Sequence, residues 1–301
     1  MLNIFLGAAA LGLLWSIMTI GVFISFRLLS IPDLTVEGSI VLGAASASAA
    51  IASGASPWWA TAMALAAGTA AGTVTGFLHT KLKIPALLAG ILSMIALYSV
   101  NIRVMNNSAN ISLLRLGTVF TPVMAMGFDR NTAVILKGLL FTMVVIAVIY
   151  WFFGTEIGSA IRATGNNQTM AKAQGINTDT AIITGLAVSN GLVGLSGGLI
   201  AQYLGFSDVQ MGQGAIVIGL ASLIIGEVLF AKNRFIRTLI AVVLGAITYR
   251  MVIALVLEAG MRATDLKLFT AATVAFALYL PQIKAGLKTR IKRGKENLPY
   301  A

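Results

Sequence analysis

Residues 134–153 read VILKGLLFTMVVIAVIYWFF. The run carries one charge, Lys137, and no proline. A bilayer core of about 30 Å is crossed by about 20 apolar residues of helix, so this run has both the length and the composition of a membrane span. A barrel strand would instead show roughly ten residues of alternating polarity. In hydrocarbon, backbone amides must find their partners within the segment, which leaves the helix.

Runs of the same kind recur at 3–29, 38–54, 58–79, 84–101, 180–203, 213–231, 236–257 and 266–283. About nine transmembrane helices are therefore expected, with a range of 8–10. The segments 30–40 and 204–220 leave the count open, because each can be read as re-entrant. The chain is 58% hydrophobic and only 10% charged, where a soluble domain has about a quarter of its residues charged. It cannot cover a water-facing surface. The expected fold is an all-α polytopic membrane protein, with one membrane domain over 1–283 and a basic tail over 284–301. The opening MLNIFLGAAALGLLW lacks a basic n-region and a cleavage site, so it reads as the first span.

The net charge of +11 would suggest nucleic acid in a soluble protein. Here the basic residues fall between and after the spans, so a bilayer is the expected partner and nucleic acid is not. With the tail inside, the same side collects Lys81, Lys83, Arg162, Lys172, Lys232, Arg234 and Arg237. The other side holds only Arg103, Arg115, Arg130, Arg262 and Lys267. The positive-inside bias puts the C-terminus in the cytoplasm and, with an odd number of spans, the N-terminus outside.

Several classes of chemistry fit poorly. There is no cysteine and one histidine, His79, which leaves no thiolate or His-cluster metal site. The ten carboxylates are scattered, with no HExxH spacing, so neither a catalytic nor a metal centre is expected. LSGGL at 195–199 resembles an ATPase signature, but no phosphate-wrapping GxxxxGK[ST] accompanies it. Gly197 and Gly198 read as packing residues. So do Gly68, Gly72 and Gly76, spaced by four, within the subunit or at a dimer seam. Arg250 is the one clear mid-span charge, and a carboxylate or carbonyls are its expected partners. Glu227 is expected to meet Lys232 or Arg234. Residues 102–133 read as a cap of short helix or strand, which shields the bundle or touches a partner.

Two polar groups stand out near the spans. In IPDLTVEG, residues 31–38, Asp33 and Glu37 lie four apart between nearly continuous apolar runs. They mark either a broken helix beside a polar pathway or a cytoplasmic turn with Asp33 as helix N-cap. Ser189, Asn190 and Gln202 in the sixth span pose the same choice, and with Asp33 and Glu37 they form the candidate substrate pathway.

Between the fifth and sixth spans lies a polar island, GTEIGSAIRATGNNQTMAKAQGINTD, residues 154–179. Asn166 or Asn167 can cap a short helix QTMAKAQ, Gly175 suits the left-handed stop after it, and Thr178 or Asp179 can cap the next span. An ordered loop of this kind is a docking element, or an interfacial helix on lipid.

The island resembles the cytoplasmic segment of ABC-importer permeases of the branched-chain amino acid and ribose class. That family carries G-x-x-x-R-A-x-G-x-N followed by A-x-x-x-G-I-N. The matching residues here are Gly158, Arg162, Ala163, Gly165, Asn167, Ala171, Gly175, Ile176 and Asn177. SIPDLTVEGSIVLGA departs from the family's usual turn at that place. The resemblance implies that the island holds the coupling helix gripped by a cytoplasmic ABC ATPase. It also implies a second permease copy, as a homodimer, an extracytoplasmic substrate-binding protein, and a place in the cell inner membrane. This chain would bind no cofactor, with ATP and Mg on the partner ATPase. GLSGGLIAQYLGFSDVQMGQG and NSANISLL are similar to a subgroup importing aromatic amino acids. The implied function is import of a small polar solute such as an amino acid. The alternative is an ion-coupled secondary transporter acting without an ATPase. On the first reading, a bulky residue at Gly165 or Gly175 uncouples transport while sparing the fold.

Overall fold

The computed structural model describes residues 2–230, 234–260, 265, 268–272 and 275. Its elements in chain order are α1 (Leu2–Phe23), which continues as a π-helical turn (Ile24–Leu28), α2 (Thr35–Ala52), α3 (Pro57–Thr80), α4 (Ala86–Val104), β1 (Asn110–Ser112), α5 (Thr121–Met124), α6 (Arg130–Phe152), α7 (Glu156–Asn166), α8 (Gln168–Ala173), α9 (Thr178–Leu204), β2 (Phe206–Asp208), α10 (Ala215–Phe230) and α11 (Phe235–Glu258). Among the described residues, seven helices are long and apolar enough to cross a membrane: Asn3–Leu28, α2, α3, α4, α6, α9 and α11. The fold is thus all-α and multi-spanning, apart from one small ladder. The eighth apolar helix, α10, has 16 residues, about 24 Å at 1.5 Å per residue. The ninth expected span, 266–283, lies largely outside the described residues.

The helix ends follow from local chemistry. Ser56 caps α3 by accepting from the Trp59 N–H, with Pro57 in the first turn, where a missing N–H costs nothing. Gly205, at φ +81°, stops α9 in the left-handed region that side chains avoid.

The core centres on α9, which packs against α1, α2 and α3. Lipid offers no hydrophobic drive for helix association, so backbones must approach closely through small residues. Gly68, Gly72 and Gly76 on α3 face Asn190, Leu186 and Ile183 of α9. Gly43 on α2 meets Gly194, and Gly197 meets Ile40. Gly198 meets Ala64 of α3. A Cβ at most of these positions would collide with a neighbouring backbone atom. The spaced-by-four stripe therefore lies inside this subunit, and LSGGL is part of that packing.

Two irregular segments enter the bundle, one from each end. After the π-turn the chain runs without helix over 29–34, with Leu29 against Gly185 and Ile161. After β2, residues 209–214 place Val209 beside Ala45 and Met105 and Gly212 against the Glu37 backbone. The expected cap over 102–133 contains both predicted kinds of element. β1 pairs antiparallel with β2, Asn110 opposite Asp208, and α5 follows.

Candidate functional site

The polar island forms α7 and α8, joined without a gap in capping. Thr155 accepts from the Gly158 N–H at 3.3 Å, and Asn167 Oδ1 accepts from the Met170 N–H at 2.9 Å. Asn167, not Asn166, is thus the α8 cap. Gly175 takes φ +81° with open space around it, as its role requires. The next cap is Asn177, whose Oδ1 accepts from the Thr180 N–H at 3.2 Å. This corrects the expectation of Thr178 or Asp179. All three can cap, but only the Asn177 carbonyl reaches the third amide beyond it.

The island residues separate into two groups. Gly158 packs on the Phe152 carbonyl and Gly165 on the Leu28 carbonyl, each too closely for a side chain. Ile161 and Ala171 are buried. Gly158 and Gly165 fasten the island to the ends of α6 and α1, and Ile161 lies near Gly185 of α9. Arg162 lies over the Phe235 ring at 5.9 Å and reaches Ser159 Oγ at 3.4 Å. Outward, Ile157 and Met170 are 56% and 61% exposed. An open groove between α7 and the start of α9 is lined by Ile157, Ala160, Ala163, Ile176 and Asn177. Close approach at Gly165 revises the expectation for that residue, because a bulky side chain there would lift α7 off the bundle.

The second neighbourhood sits at mid-bundle. Asn190 lies near the middle of the 27-residue α9, about 18 Å from one end and 21 Å from the other. Its Nδ2 donates to Asp33 Oδ2 at 2.6 Å, and its Oδ1 accepts from Ser39 Oγ at 2.7 Å. Asp33 Oδ1 accepts from the Thr35 N–H at 2.9 Å. Asp33 therefore serves the first turn of α2 in the manner of a cap. It does so while 3% exposed, so it is not a surface turn. The Thr35 and Thr75 hydroxyls lie 2.8 Å apart, and Thr75 donates to Ser93 at 2.7 Å.

Glu37 stands one turn further on, half-buried. Its Oε1 accepts from the Gly214 N–H, just before α10, at 3.0 Å. The starts of α2 and α10 thus meet inside the bundle. From there α2 runs toward the β1–β2 cap, and α10 runs back toward the island end, where Glu227 meets Arg27. Interrupted helices whose ends meet near the bilayer middle are a recurrent way to present polar backbone to a transported solute. Beside Glu37 a cleft of ≈ 470 Å³ is walled by α4, α2 and the 209–214 segment.

The other pathway candidates lie elsewhere. Ser189 is fully buried and donates to the Gly21 carbonyl at 2.7 Å, on the α1 side of α9. Gln202 is 3% exposed. It accepts from the Val119 N–H at 3.0 Å and donates to Thr61 at 2.9 Å, tying the 102–133 cap to α3 and α9. The structure brings together Asp33, Glu37 and Asn190 but not Ser189 or Gln202. The described partners of two charges differ from those expected, with Lys232 outside the described residues. Glu227 pairs bidentately with Arg27 at 2.7 and 2.8 Å, because the π-turn of α1 ends beside the last turns of α10. The described partner of Arg250 is the Trp15 ring, 4.2 Å from the guanidinium carbon. Asn101, which lines the Glu37 cleft, was not foreseen; nothing in NIRVM distinguishes it from a helix-end asparagine.

Comparison with known proteins places this geometry in a wider group. Residues 4–279 match the family described as the permease component of the branched-chain amino acid transport system. A tyrosine transport system permease protein of Clostridioides difficile (strain R20291) is 41% identical over 276 residues, covering 92% of this chain and 90% of that protein. An uncharacterized protein of Rickettsia prowazekii (strain Madrid E) is 32% identical over 271 residues, covering 89% and 94%. An autoinducer 2 import system permease protein of Salmonella typhimurium is 28% identical over 184 residues, covering 60% and 49%. No solved structure matches the chain.

Proposed function

Because the chain belongs to the family of branched-chain amino acid transport permease components, a multi-pass, non-catalytic membrane subunit of an ABC importer, we propose how it works. Family membership implies a partner ATPase, which hydrolyses ATP, and a substrate-binding protein. On our reading the working unit is a homodimer of this permease with ATPases on the island side. The solute is an amino acid, aromatic in keeping with the tyrosine-system relative. The island, 154–179, is the coupling segment. Gly158, Gly165, Ile161 and Ala171 fix it to the bundle, and Ile157, Met170 and the α7–α9 groove face the ATPase.

The observation that carries this reading is the division of the island into a fastened face and an exposed apolar face. An interfacial helix on lipid would be expected to bury large aromatic or aliphatic residues, and 154–179 has no aromatic residue. ATP binds the closed ATPase pair more tightly than the open one, and that difference in affinity shifts the permease between its two access states. With the island inside, the N-terminus of α1 lies outside. Tagged purification tests the assembly: an ABC ATPase co-purifies with the wild type. A chain that purifies alone and transports along an ion gradient without ATP would overturn it.

A further inference from the structure

The cleft beside Glu37 has a chemical bias. Among the described residues its wall carries one carboxylate and no basic side chain. Glu37 Oε1 is engaged by the Gly214 amide, the one hydrogen bond to this carboxylate among the described residues. Asn101 is 2% exposed, and its Nδ2 donates to the Gly38 carbonyl at 3.2 Å. A carbonyl can only accept, which fixes the amide orientation. Asn101 Oδ1 is then left buried with no donor, an arrangement that costs free energy unless something supplies one. The remaining wall includes Val41, Met94, Ile95 and Tyr98. A bare divalent ion would want about six oxygens around it. Two acceptors in a cleft that also has Ser99 and Gln213 but is otherwise largely apolar suit an organic cation instead.

We propose that this cleft receives the ammonium group of an amino acid in transit, with Glu37 as its counter-charge and Asn101 Oδ1 as a second acceptor. The apolar wall then takes the amino-acid side chain. The proposal rests on the reading of the chain as an amino-acid permease and adds to it the place and the group recognised. It accounts for a carboxylate in the first turn of a span that has no basic partner among the described residues, and for the orphaned amide oxygen beside it.

The test uses the assembled importer in proteoliposomes, with L-tyrosine and L-isoleucine as probes. The chain has no cysteine, so Tyr98→Cys, 58% exposed in the native residue, gives a single reporter. Whichever amino acid the wild type accumulates should slow thiol labelling at this position, and its des-amino analogue should not. Equal protection by both, or protection by neither, overturns the subsite. Glu37→Gln keeps an acceptor for the Gly214 amide and removes only the charge. It should abolish the protection and lower uptake about tenfold or more, the scale of one hydrogen bond to a charged group. Unchanged uptake in Glu37→Gln overturns the subsite while leaving the permease reading intact. Wild-type vesicles that accumulate no amino acid would remove the permease reading itself.

Discussion

Asn190→Ala should be among the most damaging single substitutions in the membrane domain. Asn190 is fully buried and makes the 2.6 Å bond to Asp33 and the 2.7 Å bond from Ser39. Hydrogen bonds to a charged group contribute about 1.5–3 kcal/mol, and neutral ones about 1. Truncation therefore removes roughly 3–4 kcal/mol and leaves the Asp33 carboxylate with one fewer donor at mid-bundle. At about 2–4 °C per kcal/mol for a domain of this size, the fall in Tm is on the order of 10 °C. The assay is thermal unfolding of the purified protein in detergent, read by loss of monodispersity. Much of the penalty comes from the Asp33 carboxyl left, among the described residues, with the Thr35 amide alone, so the double variant Asp33→Ala, Asn190→Ala should lose less than the sum of the two single losses. The expected coupling is about 1.5–3 kcal/mol. A single variant with native Tm, or strict additivity in the cycle, would refute the claim that the two side chains satisfy each other.

Other substitutions separate roles that the sequence alone runs together. Gly165→Leu should displace α7 from the Leu28 carbonyl and cost about 1–3 kcal/mol, the usual range for overpacking, so both thermal stability and uptake fall. Gly175→Ala meets open space and pays only the left-handed backbone, about 1–2 kcal/mol; its Tm should fall less, which parallel melts of the two variants will show. Gln202→Leu strips the acceptor from the buried Val119 N–H, a loss of about 1–3 kcal/mol. The 102–133 cap should loosen, and limited trypsinolysis at the exposed Arg115 should accelerate severalfold.

The spans were legible because lipid imposes a continuous apolar run on any helix that crosses it. The α8 cap and the Gly175 stop were legible because capping is local, although the choice between Asn177 and Thr178 turned on a backbone geometry that composition does not encode. Ser189 and Asn190 are adjacent in sequence and equally polar. One donates to α1, and the other joins the Asp33 cluster. Only the rotation of α9 against its neighbours decides that. Glu227 found Arg27, 200 residues away, because the π-turn carries α1 to the end of α10, a proximity no local reading offers. The shortness of α10 was partly legible: the expected run 213–231 overran it by three residues, and 204–220 can be read as re-entrant, in keeping with 209–214, which turn beneath Glu37 and begin a helix inside the bundle.

The central claim is that the segment between α6 and α9 docks on a cytoplasmic ATPase. Met170, on the exposed face of α8, can be replaced by cysteine in a chain that otherwise has none. The direct measurement is crosslinking of Met170→Cys to single cysteines on the ATPase in inside-out vesicles, with and without ATP. The account predicts a crosslink whose yield changes with nucleotide, and protection of the thiol from impermeant reagents added to intact cells. Labelling of that thiol from the cell exterior, or no crosslink in an importer that still transports, would contradict it.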